Sequence, residues 1–198
     1  MNLINPKTFI FIGRSGCGKG TQANLLIEYL KKNTTNSLFY LESGAKFREF
    51  ISSSSYTAQI ANDYMKEGKL QPSFLAVHIW SHLMIEQMKE DKQLIIDGNP
   101  RTLIEAQMLD GAFKFYNRVK PIIIFMNISR EWSIDKLSKR GRADDKTVGD
   151  INKRLDWFNR DVMPAVEFYR NNPDYIFLDI NGERTIQEIH EDIISRIK

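Results

Sequence analysis

Cysteine is nearly absent from this chain, which has one cysteine in 198 residues. That scarcity excludes a disulfide framework and a zinc site built from several thiolates. Long apolar runs are absent too: none approaches the roughly 18–20 residues of a membrane helix. The segment from Met1 to Ile12 lacks a secretory pattern. We therefore expect a cytoplasmic protein in a reducing compartment, with no membrane partner.

Glycine and proline are also too few, at 11 and 6, for a low-complexity chain. What is present instead is the composition of one globular domain, and a chain of this length buries about 70% of its unfolded surface. The 28 basic and 25 acidic residues leave a net charge of +3. This small excess permits anionic small ligands and does not indicate a nucleic-acid partner. We expect a single domain over residues 1–198 that acts as a monomer.

Short β-rich segments alternate with helical patterns along the chain. The predicted strands cover residues 8–12, 38–41, 93–96, 121–126 and 175–178. The predicted helices cover residues 20–32, 45–51, 57–66, 72–89, 103–116, 130–139, 147–170 and 185–197. Strands separated by helices predict an α/β fold with a five-stranded parallel sheet between two helical layers. Residues 42–71 contain helices without a strand, which indicates an insertion over the edge of the sheet.

The first predicted strand runs directly into a glycine-rich segment, Gly13–Thr21, with the sequence GRSGCGKGT. This segment fits the phosphate-loop pattern G-x-x-x-x-G-K. Its glycines let backbone N–H groups converge on phosphate oxygens, and the next helix presents its positive end to the same anion. Lys19 can reach the outer phosphates, and the Thr21 hydroxyl can join Mg²⁺. The predicted nucleotide-binding residues are Gly16, Cys17, Gly18, Lys19, Gly20 and Thr21.

The longer form GxxGxGKGTQ, matched by Gly13–Gln22, resembles the phosphate loop of the adenylate kinase family. Further segments resemble that family in the expected order, namely Ser43–Arg48, Gly68–Pro72, Asp97–Thr102, Lys139–Asp145 with Arg154, and Asn181–Arg184. The resemblance spans nearly the whole chain. It implies a P-loop three-layer α/β sandwich with a helical NMP-binding insertion at residues 42–71 and a short lid at residues 140–146.

The resemblance also implies the reaction, which is transfer of the γ-phosphate of Mg·ATP to a nucleoside monophosphate, with AMP as the expected acceptor. The implied catalytic residues are Lys19, Arg101, Arg140, Arg142 and Arg154. ATP is expected to contact the phosphate loop, Arg140 and Arg184. Thr21 and Asp97 are expected to hold Mg²⁺, partly through water. The implied acceptor site consists of Ser43, Gly44, Arg48, Lys69, Leu70, Gln71, Gly98, Asn99, Pro100, Arg101, Glu105, Arg142 and Arg154.

The arginine content supports this chemistry without the resemblance. Phosphoryl transfer between two phosphorylated nucleotides concentrates negative charge, so positioning and fixed positive charge do most of the work. Guanidinium groups bind phosphate in a bidentate manner and suit that task better than lysine does. The alternative for Arg140, Arg142 and Arg154 is a solvated basic face. Asp144 and Asp145 are expected to pair with these arginines or to cap the next helix.

Glu105 is the main departure from the family pattern, because adenylate kinases usually have Gln at the matching position. A Gln amide can accept from adenine N6 and donate to N1, whereas a carboxylate cannot donate and suits guanine better. Asn99 in place of an aromatic residue and Ala45 in place of Asp are lesser departures. Two alternatives therefore stay open, namely a kinase for GMP or a pyrimidine monophosphate, and an ATP-binding regulator or assembly factor.

Overall fold

The computed structural model describes residues 7–140 and 148–198. Its strands are β1 (Thr8–Gly13), β2 (Leu38–Glu42), β3 (Gln93–Asp97), β4 (Ile122–Asn127) and β5 (Ile176–Asn181). They form one sheet in the order β2-β3-β1-β4-β5, and all neighbouring strands are parallel. The predicted five-stranded parallel sheet is confirmed. Its last strand continues to Asn181, beyond the predicted end at residue 178.

Helices connect the strands and cover the sheet. In chain order they are α1 (Lys19–Asn33), α2 (Ser43–Ile51), α3 (Tyr56–Lys66), α4 (Ser73–Gln87), α5 (Leu103–Phe115), α6 (Arg130–Arg140), α7 (Val148–Trp157), α8 (Met163–Arg170) and α9 (Ile186–Ile197). Hydroxyl side chains of Ser55, Thr102 and Thr185 cap α3, α5 and α9 by accepting from backbone N–H groups of the first turn. Across residues 7–140 and 148–198, no helix is both long and apolar enough to cross a membrane.

The sheet is buried on both faces, because successive strand side chains point to opposite sides. On one side, Ile10 and Ile96 belong to a core that includes residues of α4, α5 and α8. On the other side, Phe9 and Phe11 belong to a core that includes residues of α1 and α9. The central strand β1 is buried except at Gly13, where the chain leaves the sheet. The three-layer α/β sandwich is therefore confirmed.

The helix expected over residues 147–170 is not continuous. In the described part, α7 ends at Trp157, a π-helical segment covers Phe158–Val162, and α8 follows with a proline in its first turn. Pro164 has no N–H to donate, and its ring clashes with the carbonyl four residues earlier, so an ordinary α-helix cannot pass this point unchanged. The wider π turn precedes the proline. The prediction of one α-helix here was wrong because this effect was overlooked.

A small separate core lies between α2, α3 and α4. Phe47 and Ala61 pack there with Leu75, Ala76 and Ile79. The helices α2 and α3 are the only regular elements between β2 and residue 71 in the described chain. The assignment of residues 42–71 as an insertion stays a prediction. Residues 141–146 of the predicted lid lie outside the described residues.

Gly13 is paired with Met126 of β4 at the end of β1. A Cβ atom at Gly13 would lie 2.5 Å from the backbone oxygen of Met126. We therefore expect Gly13→Ala to lower the free energy of unfolding by about 1–3 kcal/mol. Gly111→Ala is the matched control, because a Cβ there meets nothing within 4 Å and a helical alanine stabilises by about 0.5–1 kcal/mol. Urea unfolding of both variants checks this, and equal effects at the two positions would contradict it.

Candidate active site

The phosphate loop joins the end of β1 to the start of α1. Gly16 and Gly18 both have φ of 86°, in the left-handed region that favours glycine. Lys19 is the first residue of α1, and its Nζ donates to the carbonyl oxygens of Gly13 at 2.7 Å and Arg14 at 3.0 Å. No side chain caps this helix. The Lys19 ammonium group is therefore bound to backbone carbonyls of the loop. Beside it lies the N-terminus of α1, for which the described residues supply no side-chain cap.

The loop packs against α6. A Cβ atom at Gly16 would lie 3.3 Å from Leu137 Cγ and 3.4 Å from Lys136 Cβ. The Nζ of Lys136 lies 4.6 Å from the ring centroid of Trp132, so the two side chains make a cation–π contact beside the loop. Sequence reasoning missed Lys136.

Asp97 ends β3 and faces the start of α1. Its side chain is buried, a Cβ atom at Gly20 would lie 3.3 Å from its Oδ2, and the Tyr40 hydroxyl donates to the same oxygen at 3.3 Å. Burial raises the pKa of Asp97, and the nearby charge of Lys19 opposes that rise. Sequence reasoning missed Tyr40. The sequence feature that pointed to Tyr40 was the alternation of side chains along β2, which places Tyr40 and Glu42 on the same face of the sheet.

The residues next to the loop fit Mg²⁺ as their metal. The Asp97 carboxylate and the Thr21 hydroxyl are oxygen donors of the kind that Mg²⁺ prefers. Among the described residues, no group of three or more His, Cys, Asp and Glu could hold a metal ion. A site with so few protein ligands suits Mg²⁺, which usually keeps several waters and binds through substrate phosphates.

Apart from the phosphate loop, a cavity of about 130 Å³ lies beside β3 and α5. We call it the acceptor cavity. It is lined by Phe47, Arg48, Met65, Gly68, Lys69, Leu70, Gln71, Ala76, Asn99, Arg101, Glu105, Arg154 and Trp157. Most of the residues predicted for the acceptor site thus come together here, from four separate stretches of the chain. Ser43, Gly44, Gly98 and Pro100 lie outside this lining.

Ser43 and Gly98 are nevertheless close to the cavity wall. The Ser43 hydroxyl donates to the backbone oxygen of Asp97 at 3.1 Å. Gly98 has φ of 90°, and a Cβ atom there would lie 2.7 Å from Ser43 Oγ. Only glycine fits this turn without strain. The turn brings the end of β3 against the first residue of α2.

Arg101 is partly buried and held in place on two sides. Its Nε donates to the carbonyl of Gly98 at 2.8 Å, and its Cζ lies 5.9 Å from the ring centroid of Trp157. Burial lowers the pKa of Arg101, and the charge of Glu105 opposes the shift. Arg48, also in the lining, pairs with Glu42 at 3.1 Å. Two guanidinium groups therefore line the same cavity.

Arg154 connects the acceptor cavity to the phosphate loop. It lines the cavity, and its Nη2 donates to Ser15 Oγ at 3.3 Å. Next to this contact, the guanidinium of Arg14 lies 4.6 Å from the ring centroid of Phe158 in the π-helical segment. Sequence reasoning did not assign Arg14 or Ser15 a role. Arg154 therefore borders both the cavity and the phosphate loop.

Contacts with ATP were also predicted for Arg184 and Arg140, which lie outside the phosphate loop in sequence. The Arg184 guanidinium donates to Asn181 O at 3.1 Å and pairs with Asp192 at 2.6 Å. Its turn is close to the phosphate loop, since a Cβ atom at Gly182 would lie 3.8 Å from Cys17 O. The contact of Arg184 with ATP stays a prediction. Arg142, Asp144 and Asp145 lie outside the described residues, as does the side chain of Arg140.

Glu105 is buried in the first turn of α5. Its Oε2 accepts from the Arg101 N–H at 3.0 Å and from Asn99 Nδ2 at 3.0 Å. The Thr102 hydroxyl lies 3.3 Å from Oε1 and also accepts from the Glu105 N–H at 3.2 Å. Burial raises the pKa of Glu105 although these hydrogen bonds oppose the rise. The carboxylate is thus largely engaged with its own loop.

This raised pKa makes stability depend on pH with a definite sign. The folded state binds the Glu105 proton more tightly than the unfolded chain, whose reference pKa is 4.5. The stabilisation is complete below pH 4.5 and is lost as the pH rises through the higher folded pKa. We therefore expect the wild type to lose stability relative to Glu105→Gln over that range. Urea unfolding of both proteins at several pH values measures this, and a difference independent of pH would contradict it.

The parallel α/β fold and the glycine-rich loop between β1 and α1 define a class, the P-loop nucleotide-binding proteins. Comparison with known proteins narrows this class: a family model described as adenylate kinase matches residues 11–173. The adenylate kinase of Prochlorococcus marinus (strain AS9601) is 30% identical over 188 residues, covering 94% of this chain and 96% of that protein. The adenylate kinase of Azobacteroides pseudotrichonymphae is 29% identical over 188 residues, covering 93% and 94%. The chain belongs to the adenylate kinase family, and it is a nucleoside monophosphate kinase.

Proposed function

We propose that this protein transfers the γ-phosphate of Mg·ATP to AMP and forms two molecules of ADP. The observation that carries the proposal is the contact of Arg154 with Ser15, which joins the acceptor cavity to the phosphate loop. An ATP-binding regulator has no need of a second arginine-lined anion site beside the loop. The family resemblance and the relatives named adenylate kinase favour AMP as the acceptor.

In this proposal ATP lies with its phosphates on the loop, and the AMP phosphate lies between Arg48 and Arg101. An oxygen of the AMP phosphate attacks the γ-phosphorus in line, the bond to the β,γ-bridging oxygen breaks, and ADP leaves. No general base is needed, because the attacking phosphate is already anionic near neutral pH. Lys19 and Arg154 stabilise the charge on the group in transfer. Arg140 and Arg142 are proposed for the same task.

The remaining groups position the substrates. When bound, Mg²⁺ neutralises phosphate charge, and Asp97 and Thr21 would hold it, partly through water. We further propose that residues 42–71 close over AMP and that residues 140–146 act as a short lid over ATP. Closure excludes water, which protects ATP from hydrolysis. Both anion sites come from one chain, so we propose that the monomer is active.

The test is product formation from Mg·ATP with AMP, GMP, CMP and UMP in separate reactions. We expect rapid ADP formation with AMP and much slower turnover of the other three. A preference for GMP or a pyrimidine nucleotide would mean that this nucleotide, and not AMP, is the acceptor. Kinase activity would be contradicted by two results together. No product would form with any of the four nucleotides, and a two-nucleotide bisubstrate analogue would bind no more tightly than ATP.

A further inference from the structure

Three side chains of the acceptor cavity carry a buried polar atom that has no hydrogen-bond partner among residues 7–140 and 148–198. These atoms are Gln71 Oε1, Asn99 Oδ1 and Trp157 Nε1. The other end of the Gln71 amide is engaged, since its Nε2 donates to Ala61 O at 2.8 Å. Buried polar groups are nearly always hydrogen-bonded. Of the eight such atoms among the described residues, three belong to side chains that line this one cavity. A polar ligand with donors for two amide oxygens and an acceptor for an indole N–H would complete all three.

Asn99 is the most constrained of the three. It is 2% exposed, and its Nδ2 donates to Glu105 Oε2, which belongs to a side chain that is 1% exposed. The same oxygen accepts the Arg101 backbone N–H. An ionised carboxylate only accepts and the Arg101 backbone N–H only donates, so the Asn99 amide faces the ionised Glu105 with nitrogen rather than oxygen. One hydrogen of the Asn99 amide and its carbonyl oxygen have no partner among the described residues.

An amide in a fixed orientation distinguishes between bases. A carbonyl oxygen beside an N–H group matches a ring nitrogen that lies next to an exocyclic amino group, as at N1 and N6 of adenine. If the amide oxygen and nitrogen exchanged places, the same amide would match the N1–H and O6 of guanine instead. The contact with Glu105 prevents that reversal. A second acceptor, Gln71 Oε1, suits the other hydrogen of an exocyclic amino group.

We propose that the amide of Asn99 reads the adenine of AMP and that Glu105 is a positioning residue that holds this amide in one orientation. Asn99 Oδ1 accepts from the 6-amino group, and the remaining amide hydrogen donates to N1. This inference rests on the proposed function for the identity of the acceptor. It gives the glutamate at position 105 a role that needs no direct contact with the base.

The experiment compares AMP with purine riboside 5′-monophosphate, which lacks only the 6-amino group. For each nucleotide, kcat and KM are measured with saturating Mg·ATP, and Kd is measured by calorimetry without ATP. In the wild type we expect AMP to be preferred by about 10-fold or more, because the analogue leaves a buried acceptor unsatisfied. The loss is expected in KM and Kd rather than in kcat. A wild-type preference below about 3-fold would overturn the proposal without any variant.

Variants then distinguish the proposed role of Asn99, contact with the base, from that of Glu105, orientation of the amide. Asn99→Leu is expected to reduce the preference to within about 3-fold and to leave KM for ATP unchanged. Glu105→Leu is expected to do the same, because the amide loses the acceptor that orients it. Glu105→Gln is expected to keep the preference, since its carbonyl can face both Asn99 and the Arg101 N–H. Gln187→Leu, an exposed amide on α9, is the matched control. Thermal unfolding confirms that each variant is folded.

The outcomes distinguish this inference from the proposed function. If AMP is phosphorylated and Asn99→Leu keeps the full preference, the role of Asn99 is wrong and the kinase assignment stands. If the wild type binds AMP better than the analogue but forms no ADP, the kinase assignment is wrong and the role of Asn99 stands. A wild-type preference for GMP overturns both the acceptor and the adenine contact. If Asn99→Leu does not fold, the contrast between Glu105→Leu and Glu105→Gln decides.

Discussion

Exchange of Arg101 for lysine is expected to lower kcat with AMP by about 100- to 1,000-fold while the Kd for ATP changes less than about 3-fold. Lysine keeps the positive charge but loses the planar pair of N–H donors that binds phosphate oxygens. It also loses the hydrogen bond from Arg101 Nε to Gly98 O, which fixes the direction of the guanidinium group. The AMP phosphate would then be held less precisely for in-line attack.

Steady-state kinetics with AMP and calorimetry with ATP measure the two effects separately. Arg196→Lys is the matched control, since Arg196 lies on α9 and pairs there with Asp192 at 2.6 Å. We expect this control to leave kcat unchanged. Equal losses of ATP affinity and of turnover in Arg101→Lys would mean that Arg101 serves the ATP site, and the assignment of the acceptor cavity would then be wrong.

Lys19→Met is expected to have the largest effect of any single exchange, a fall in kcat of about 1,000-fold or more. The Lys19 ammonium now donates to two carbonyls of the phosphate loop, and with ATP bound it can turn to the outer phosphates. Methionine has a similar length but carries no charge, so the charge on the group in transfer loses its nearest cation. We also expect weaker ATP binding, because the same ammonium contacts the ground state.

Lys31→Met, at the exposed C-terminal end of the same helix, is the control for Lys19→Met. Lys31 pairs only with the exposed Glu28 among the contacts described for it, and such pairs contribute little. Rapid-mix measurement of ADP formation, with thermal unfolding of both variants, separates lost chemistry from lost folding. A Lys19→Met enzyme that keeps more than about a tenth of wild-type kcat would contradict the role of this lysine.

The fold could be predicted from the sequence because its signals are local. Alternating β-rich and helical segments fix the parallel sheet, and the glycine spacing of residues 13–20 needs no tertiary information. Even the π-helical segment had a local signal in Pro164. The family motifs likewise predict that Arg48, Arg101 and Glu105 lie in one region.

The contacts that specify the site could not be predicted in the same way, because they join residues far apart in sequence. Tyr40 reaches Asp97 across neighbouring strands, and Arg154 reaches Ser15 from another helix. Which donors the carboxylate of Glu105 accepts depends on how the turn after β3 folds back on α5. Sequence reasoning treated Glu105 as a direct contact of the base. In the structure that carboxylate accepts from Asn99 Nδ2 and the Arg101 N–H, and our proposal gives the contact with the base to Asn99.

The contact between Arg154 and Ser15 has a thermodynamic consequence. One guanidinium group borders both the phosphate loop and the acceptor cavity. If ATP and AMP bind there as proposed, either nucleotide alters what the other meets. Any such coupling is reciprocal: the factor by which AMP changes the dissociation constant of ATP equals the factor by which ATP changes that of AMP. The order in which the two nucleotides bind therefore cannot change the total free energy of the ternary complex, and Arg154 contributes equally along both routes.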